Sequence, residues 1–128
     1  MENQTVLIVD DEERNIKLVK AMLMSEDYRT ISVLSGEESL GVVAQERPDV
    51  ILLDVMMPGM DGFGVCNKLR TDVKTAFIPI MMLTANSSEE GRTKGYLVGA
   101  DDYVSKPFSV PELNARVTRL LHRTYGLS

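Results

Sequence analysis

The sequence has few of the residues that hold secreted or zinc-binding proteins together, and it has no long apolar run. Cys66 is the only cysteine among 128 residues, so no disulfide bond can form within the chain and a reducing compartment is expected. His122 is the only histidine, and neither a zinc-ligand spacing nor a Ser-His-Asp arrangement can be built around it. No apolar run approaches the roughly 20 residues of a membrane-spanning helix, and the polar start, Met1–Thr5, is unlike a signal peptide. These absences predict a soluble, cytoplasmic protein without a membrane partner.

Positive charge is also scarce, because 14 basic residues stand against 19 acidic ones and give a net charge of −5. This balance argues against direct nucleic-acid binding, which needs a basic surface. The length and a hydrophobic content of 44% suit one domain with its own core. The sequence contains no repeat and no low-complexity tract, so residues 1–128 are predicted to form a single domain.

Strand-like and helix-like segments alternate five times along the chain. The predicted strands cover about Thr5–Val9, Arg29–Val33, Val50–Leu53, Ile78–Leu83 and Asp101–Val104. The predicted helices cover about Glu12–Ser25, Ser35 to the residue before Pro48, the segment after Asp61-Gly62, Ser87 to about Gly99, and the segment from Ser109 onward. Strict alternation implies parallel strands joined by right-handed crossovers. The predicted fold is therefore a doubly wound α/β sheet of five parallel strands.

The last two predicted helices differ in how strongly their sequences favour a helix. The fifth opens with a capping box, Ser109 to Glu112. Its apolar stripe, which we expect to be buried, consists of Val110, Leu113, Val117, Leu120 and Leu121. The fourth contains Gly91 and Gly95, and a glycine inside a helix costs roughly 1 kcal/mol relative to alanine. The fourth helix is therefore either a marginally stable moving part or a surface helix that tolerates glycine.

Chemically active side chains follow four of the predicted strands. Asp10 and Asp11 follow the first strand, Asp54 closes the third, Thr84 closes the fourth and Lys106 follows the fifth. In a parallel sheet all of these strand ends lie at one edge, where open α/β sheets place their sites. Three carboxylates, a hydroxyl and an ammonium group are therefore predicted to meet, a set that suits a divalent cation and a phosphoryl group.

The carboxylates set the chemistry of this site. Two carboxylates about 5 Å apart repel by roughly 3 kcal/mol at an effective dielectric constant of 20, so a cluster of three favours a bound cation. Mg²⁺ suits a site with few carboxylates, several waters and a phosphate. A carboxylate such as Asp54 can accept a phosphoryl group as an acyl phosphate, while Lys106 and the metal neutralise the phosphoryl oxygens and Thr84 hydrogen-bonds one of them. Taken singly, Asp54 could be a turn residue, Thr84 a helix cap and Lys106 an ordinary surface lysine, so only the combination is specific.

Four segments carry a family resemblance that covers essentially the whole chain. They are VLIVDDEERN, DVILLDVMMPGMDGFGVC, IPIMMLTA and GADDYVSKPF, and in order and approximate spacing they resemble the motifs of the receiver domain of two-component response regulators. The resemblance implies a flavodoxin-like (βα)5 fold with strand order 2-1-3-4-5. It also implies that Asp54 is the phosphoacceptor and that Asp11 binds Mg²⁺ (or Mn²⁺) directly. Asp10 would hold the metal largely through water, and the backbone carbonyl of Met56 would complete the metal site.

The same resemblance implies a switch. Thr84 would be the switch hydroxyl, Lys106 the lysine that pairs with the phosphoryl group, and Tyr103 the aromatic residue that turns inward when Thr84 moves. The Lys106–Pro107 peptide bond would be cis. Met56 and Asn86 occupy variable positions that tune the lifetime of the phosphoryl group.

These roles predict a phosphorylation-dependent switch rather than an enzyme with a separate substrate. The chain would catalyse only its own phosphorylation, by a sensor histidine kinase or a phosphotransfer protein, and its own dephosphorylation. The fourth helix, fifth strand and fifth helix would then change shape toward a downstream effector protein or domain, or toward a second copy in a phosphorylation-dependent homodimer. Along the fifth helix, Arg116, Arg119 and Arg123 form a basic stripe that belongs either to this surface or to an ordinary solvated face.

Three alternatives fit the sequence less well. Phosphatases of the haloacid-dehalogenase type also combine aspartate, threonine and lysine, but they place a D-x-D nucleophile after the first strand. Here Asp54 follows the third predicted strand, and the residue two positions further on is Met56. An interaction module that is never phosphorylated would be indicated by a missing acceptor or lysine, and neither is missing. Flavin binding on the same fold is disfavoured by the absence of tryptophan and of a phosphate-cradling loop.

Overall fold

The computed structural model describes residues 3–85 and 88–126, and these alternate between strands and helices along the chain. The strands are β1 (Thr5–Val9), β2 (Arg29–Val33), β3 (Val50–Asp54), β4 (Ile80–Thr84) and β5 (Asp102–Ser105). The helices are α1 (Glu13–Met22), α2 (Gly36–Glu46), α3 (Gly62–Arg70), α4 (Glu89–Leu97) and α5 (Val110–Tyr125). Asn86 and Ser87 lie outside the described residues, and so does the predicted start of the fourth helix at Ser87.

The strands form one parallel sheet in the order β2-β1-β3-β4-β5. The parallel pairing extends to the ends of the strands, where Asp54 aligns with Leu83 and Thr84 with Ser105. The doubly wound sheet and its strand order 2-1-3-4-5 are therefore confirmed. Because all five strands run in the same direction, the loops that follow them lie at one edge of the sheet.

Two apolar clusters cover the two faces of the sheet. Leu7, Leu53 and Met82 belong to the cluster that also contains side chains of α2 and α3, among them the fully buried Cys66. Leu52 belongs to the opposite cluster, which contains side chains of α1 and α5. Every residue of β1, β3 and β4 is buried, which explains why these strands are continuous apolar runs in the sequence.

Four helices begin at a residue whose side chain caps the helix. Ser35, Asp61, Ser88 and Ser109 each accept a hydrogen bond from the backbone N–H three residues further on, at 2.9–3.2 Å. These contacts satisfy N–H groups that have no partner inside the helix. The capping residues predicted at Ser35 and Ser109 are confirmed.

Several predicted boundaries are wrong by one to three residues. α1 ends at Met22 rather than at Ser25, because the N–H of Leu23 is shared between the carbonyls of Val19 and Lys20, at 3.1 and 3.2 Å, and the last turn tightens.

The two strands at the β5 side of the sheet also start later than predicted. β4 begins at Ile80 rather than Ile78, because Pro79 has no N–H to give to a ladder. β5 runs from Asp102 to Ser105 instead of Asp101–Val104, and the Asp101 carboxylate accepts the N–H of Ile80 at 2.8 Å.

The burial predicted for α5 is correct at four positions and wrong at one. Leu113, Val117, Leu120 and Leu121 are buried, whereas Val110 is 42% exposed. Val110 is the first residue of the helix and lies one turn before the side chains that reach the core.

Candidate functional site

The predicted site residues stand at the carboxyl ends of the strands. Asp10 directly follows β1, Asp54 and Thr84 are the last residues of β3 and β4, and Lys106 directly follows β5. The side chains of Asp10, Asp54 and Thr84 are buried, while Asp11 is exposed. The fold thus brings together the residues that the sequence placed at this edge.

The three carboxylates form a cluster that suits a divalent cation. Asp10, Asp11 and Asp54 each offer one carboxylate oxygen, and these oxygens lie within 4.8 Å of one another. Two of the residues are buried and the third is exposed, so the cluster combines protein oxygens with access to water. That combination fits Mg²⁺, which keeps several waters when it binds to one or two carboxylates and a phosphate.

The Asp10 side chain is held by three contacts. Its Oδ1 accepts the backbone N–H of Glu12 at 3.0 Å and the side-chain N–H of Asn15 at 3.4 Å. Its Oδ2 lies 3.4 Å from the Nζ atom of Lys106. The contact from Asn15 was not predicted, although Asn15 closes the VLIVDDEERN segment and is the third residue of α1.

Lys106 bridges two of the carboxylates. Its Nζ atom lies 3.4 Å from Asp10 Oδ2 and 3.9 Å from Asp54 Oδ1, and its side chain is 23% exposed. The Lys106–Pro107 peptide bond is cis, as the resemblance implied. The ammonium group therefore offsets part of the negative charge of the cluster and stands beside the predicted phosphoacceptor.

Asp54 has a perturbed acidity. Burial raises its pKa most, the nearby Asp10 carboxylate raises it further, and the Lys106 ammonium and a hydrogen bond from the Met56 backbone lower it. The resulting pKa is about 6, above the ordinary value of 3.8. Asp54 is still mainly ionised at pH 7, so it can act as a nucleophile there. The side chain of Met56 is 63% exposed at the start of the loop between β3 and α3.

The ring of Tyr103, the predicted aromatic switch, is packed against α4. The side chain is only 2% exposed, and the guanidinium carbon of Arg92 lies 5.3 Å from the centre of its ring. Arg92 also donates a hydrogen bond to the Tyr103 carbonyl at 3.1 Å. The Arg92 side chain of α4 therefore contacts both the ring and the backbone carbonyl of Tyr103.

The arginines predicted as a basic stripe are partly neutralised by acids of β5 and the residue before it. Arg116 donates two hydrogen bonds to the buried Asp102 carboxylate, at 2.8 and 3.0 Å. Arg119 lies 3.6 Å from Asp102, and Arg123 lies 4.0 Å from Asp101. The three arginines of α5 are therefore paired with acids and do not form a stripe of unpaired positive charge.

A doubly wound parallel sheet with carboxylates, a threonine and a lysine gathered at one edge defines a class of signalling domain that is switched by phosphorylation. The family model of the response regulator receiver domain matches residues 6–118, and the chain belongs to that family. Receiver domains are the signalling modules of two-component systems, and their general function is that of a phosphorylation switch.

Curated and solved relatives agree with this assignment. The chain is 46% identical over 126 residues to the transcriptional regulatory protein YvrH of Bacillus subtilis, covering 98% of this chain and 52% of that protein. It is 44% identical over 122 residues to the alkaline phosphatase synthesis transcriptional regulatory protein PhoP of the same species, covering 95% of this chain and 50% of that protein. The chain thus spans about half the length of these curated relatives.

Among solved structures, the chain resembles the receiver domain of a sensor histidine kinase of Pseudomonas aeruginosa. The TM-score is 0.84 at 32% identity, with 98% of this chain and 100% of that one covered. That structure is described with a magnesium ion coordinated in its active-site cleft. In the described part of this chain, no helix has both the length and the apolar character that crossing a bilayer would require.

Proposed function

We propose that Asp54 accepts a phosphoryl group from a sensor histidine kinase or a phosphotransfer protein in a reaction that needs Mg²⁺ or Mn²⁺. The observation that carries the proposal is the position of Asp54, with a carboxylate oxygen within 4.8 Å of those of Asp10 and Asp11 and 3.9 Å from Lys106 Nζ. The cation would be held by the three carboxylates and the Met56 backbone carbonyl. When bound, it would neutralise charge on the phosphoryl oxygens.

The chain's own residues supply the rest of the chemistry. A carboxylate oxygen of Asp54 attacks the phosphorus, and the bond from phosphorus to the donor nitrogen breaks, so that the nitrogen keeps the electron pair. Lys106 exchanges part of its contact with Asp10 for a contact with the transferred group, and the Thr84 hydroxyl binds a second phosphoryl oxygen. Attack by water on the same phosphorus later restores the Asp54 carboxylate. The chain thus catalyses its own phosphorylation and dephosphorylation.

Intact-mass spectrometry tests this assignment. Wild-type protein incubated with Mg²⁺ and acetyl phosphate at neutral pH should gain the mass of one phosphoryl group, and chelation of the metal should prevent the gain. Asp54→Asn removes the nucleophile but keeps the shape of the side chain, so it should gain nothing. An adduct of unchanged yield in Asp54→Asn would overturn the assignment of the phosphoacceptor.

The output of the switch would be the surface formed by α4, β5 and α5. A phosphoryl group at Asp54 would contact β4 through Thr84 and the end of β5 through Lys106, and the Tyr103 ring links β5 to α4. A ligand shifts a conformational equilibrium only if its contacts differ between the two states, and these contacts would differ. The partner would be an effector protein or domain, or a second phosphorylated copy.

Hydrogen exchange tests this route. The beryllofluoride complex, a stable mimic of the phosphoryl group, should change amide protection in residues 88–99 and 101–106 beyond the loops of the site. Changes confined to residues 55–62 would contradict the proposed output surface.

The kinase is proposed to dock beside the site on α1. A groove of about 340 Å³ opens next to Lys106, and its apolar lining includes Leu18, Pro107 and Phe108. Leu18 is 59% exposed, which suits contact with a helix of a partner. Leu18→Ala should slow phosphotransfer from a phosphorylated kinase about fivefold or more, the usual effect of truncating an anchoring residue. Phosphorylation by acetyl phosphate, which needs no docking, should keep its rate, and Met24→Ala, 80% exposed and outside the groove, is the control.

A further inference from the structure

The loop between β3 and α3 returns to the strand that it leaves. The N–H of Gly62 donates to the carbonyl of Val55 at 2.9 Å. A Cβ atom at Gly62 would lie 2.6 Å from the Asp54 carbonyl oxygen, so the two ends of the loop are in close contact. Residues 55–62 therefore form a closed loop, and Met56 lies near its start.

The middle of this loop, at Gly59 and Met60, contacts the first turn of α2. Glu37 accepts the backbone N–H of Met60 on its Oε1 atom at 3.0 Å. A Cβ atom at Gly36 would lie 2.5 Å from the Met60 carbonyl oxygen, and one at Gly59 would lie 2.9 Å from Glu37 Oε1. Gly59 also has φ +73°, a conformation that favours glycine. Two glycines thus allow the helix and the loop to approach, and the Glu37 carboxylate joins them.

An acidic residue in the first turn of a helix is common, because the helix dipole favours it. Glu38, the next residue, is such a residue, but it is Glu37 that accepts the hydrogen bond from the β3–α3 loop. Hydrogen bonds from the backbone N–H groups of Met60 and of Glu37 itself lower the pKa of Glu37, so it is ionised at neutral pH. Glu37 and Glu38 therefore match in charge and in place on the helix but differ in their contact with the loop.

We propose that Glu37 is a positioning residue for the metal site, acting through the loop that carries the Met56 carbonyl. This inference rests on the proposed function, in which that carbonyl is a metal ligand. Mg²⁺ demands near-ideal octahedral geometry with short bonds. A carbonyl oxygen that is not held in position therefore lowers the affinity of the site for Mg²⁺. Glu37 is not one of the three clustered carboxylates, and its role would be indirect. It limits the positions that the loop can take, and the Mg²⁺ affinity reports how well it does so.

Calorimetric titration with Mg²⁺ alone compares four proteins: the wild type, Glu37→Ala, Glu37→Gln and Glu38→Ala. Each variant loses one negative charge, so the charge effect on cation binding is shared by all three. Only Glu37→Ala also loses the acceptor for the Met60 N–H. We expect it to bind Mg²⁺ about three- to tenfold more weakly than the other two variants, the range that one hydrogen bond allows. Glu37→Gln keeps an acceptor oxygen and should restore binding to the level of Glu38→Ala.

Phosphorylation by acetyl phosphate separates positioning from a general structural role. In Glu37→Ala the Mg²⁺ concentration that gives half the maximal rate should rise by the same factor as the dissociation constant, while the rate at saturating Mg²⁺ should change little. A purely structural residue would lower the melting temperature and leave the Mg²⁺ dependence of the rate unchanged. Melting temperatures of all four proteins in chelator complete the comparison.

The outcomes distinguish the two proposals. If the wild type binds Mg²⁺ and Glu37→Ala matches Glu38→Ala, the positioning role of Glu37 is overturned and the proposed function stands. If Glu37→Gln binds as weakly as Glu37→Ala, the charge of Glu37 matters rather than its hold on the loop, and the proposal again fails. A wild type that neither binds Mg²⁺ nor becomes phosphorylated would overturn the proposed function, and with it this inference.

Discussion

The ring of Tyr103 lies in the space that a side chain at residue 95 would fill, and Gly95 leaves that space free. A Cβ atom at Gly95 would lie 2.8 Å from Tyr103 Cδ2 and 3.1 Å from the sulfur of Met82. A Cβ atom at Gly91 would lie 2.9 Å from the Tyr103 hydroxyl oxygen. The two glycines of α4, which cost helix stability, thus make room for the inward position of the aromatic ring.

Gly95→Ala should displace Tyr103. Alanine favours the helix by roughly 1 kcal/mol, but overpacking a buried ring costs about 1–3 kcal/mol, so we expect a small net loss of stability and an outward shift of the ring. Fluorotyrosine NMR would report the shift as a new environment for Tyr103, and thermal melting would report the loss.

Gly41→Ala is the matched control for that substitution. Gly41 lies inside α2, and a Cβ atom there would have no neighbour within 4 Å. It should therefore stabilise the protein by about 0.5–1 kcal/mol, the helix propensity term alone. A Gly95→Ala protein that gained as much stability as Gly41→Ala would show that the Tyr103 ring does not need the space.

Arg116→Ala should destabilise the protein by about 1–3 kcal/mol, because it removes the shortest ion pair of the buried Asp102 carboxylate and leaves it the Tyr103 backbone N–H at 2.9 Å and the longer contact to Arg119. Arg123→Ala is the control, since Arg123 is 59% exposed and lies 4.0 Å from Asp101, a distance at which a surface ion pair contributes little. Urea unfolding would measure both. Equal effects of the two substitutions would contradict a special role for the pair between Arg116 and Asp102.

Local sequence pattern predicted the order of the strands and helices and the place of the site residues. The bounds of β1 and β2 are as predicted, and Asp54, Thr84 and Lys106 lie at the predicted edge, because the ends of parallel strands must meet there. Errors fall at element ends, where a shared hydrogen bond, as at Leu23, or a missing N–H, as at Pro79, decides the boundary.

Contacts between distant segments could not be predicted from local pattern. Glu37 reaches a residue 23 positions away, and the Arg70 side chain bonds the Gly99 carbonyl 29 positions away. Neither contact follows a helical or strand periodicity. The sequence also left open whether the glycines of α4 mark a mobile helix or a tolerated surface position. The structure adds that they border the Tyr103 ring, while the mobility of α4 stays a prediction.

Asp11→Asn should abolish the stabilisation that Mg²⁺ gives to the folded protein. A ligand that binds only the folded state stabilises it by RT ln(1 + [L]/Kd), about 2.7 kcal/mol at a concentration 100 times Kd. Asp11 is exposed, so its replacement should leave the fold intact in chelator and remove only the metal-dependent gain. Melting temperatures measured without Mg²⁺ and with about 10 mM Mg²⁺ would show this. That concentration is chosen to approach saturation of the site. If Mg²⁺ left the melting temperature of the wild type unchanged, the proposal of a metal site would be contradicted.

Asp54 should make the metal-free protein less stable as the pH rises. Its pKa is about 6 in the folded protein against an ordinary value of 3.8, so between these values the folded state holds a proton that the unfolded state has lost. The free energy of unfolding therefore falls from about pH 4 to about pH 6 and stays low above that. Asp54→Asn lacks this term and should be more stable than the wild type in chelator at pH 7.5, by up to about 3 kcal/mol, with the difference vanishing near pH 4. Urea unfolding at four pH values would measure it. A difference that stays constant from pH 4 to 7.5 would mean that a lost contact, and not the ionisation of Asp54, separates the two proteins.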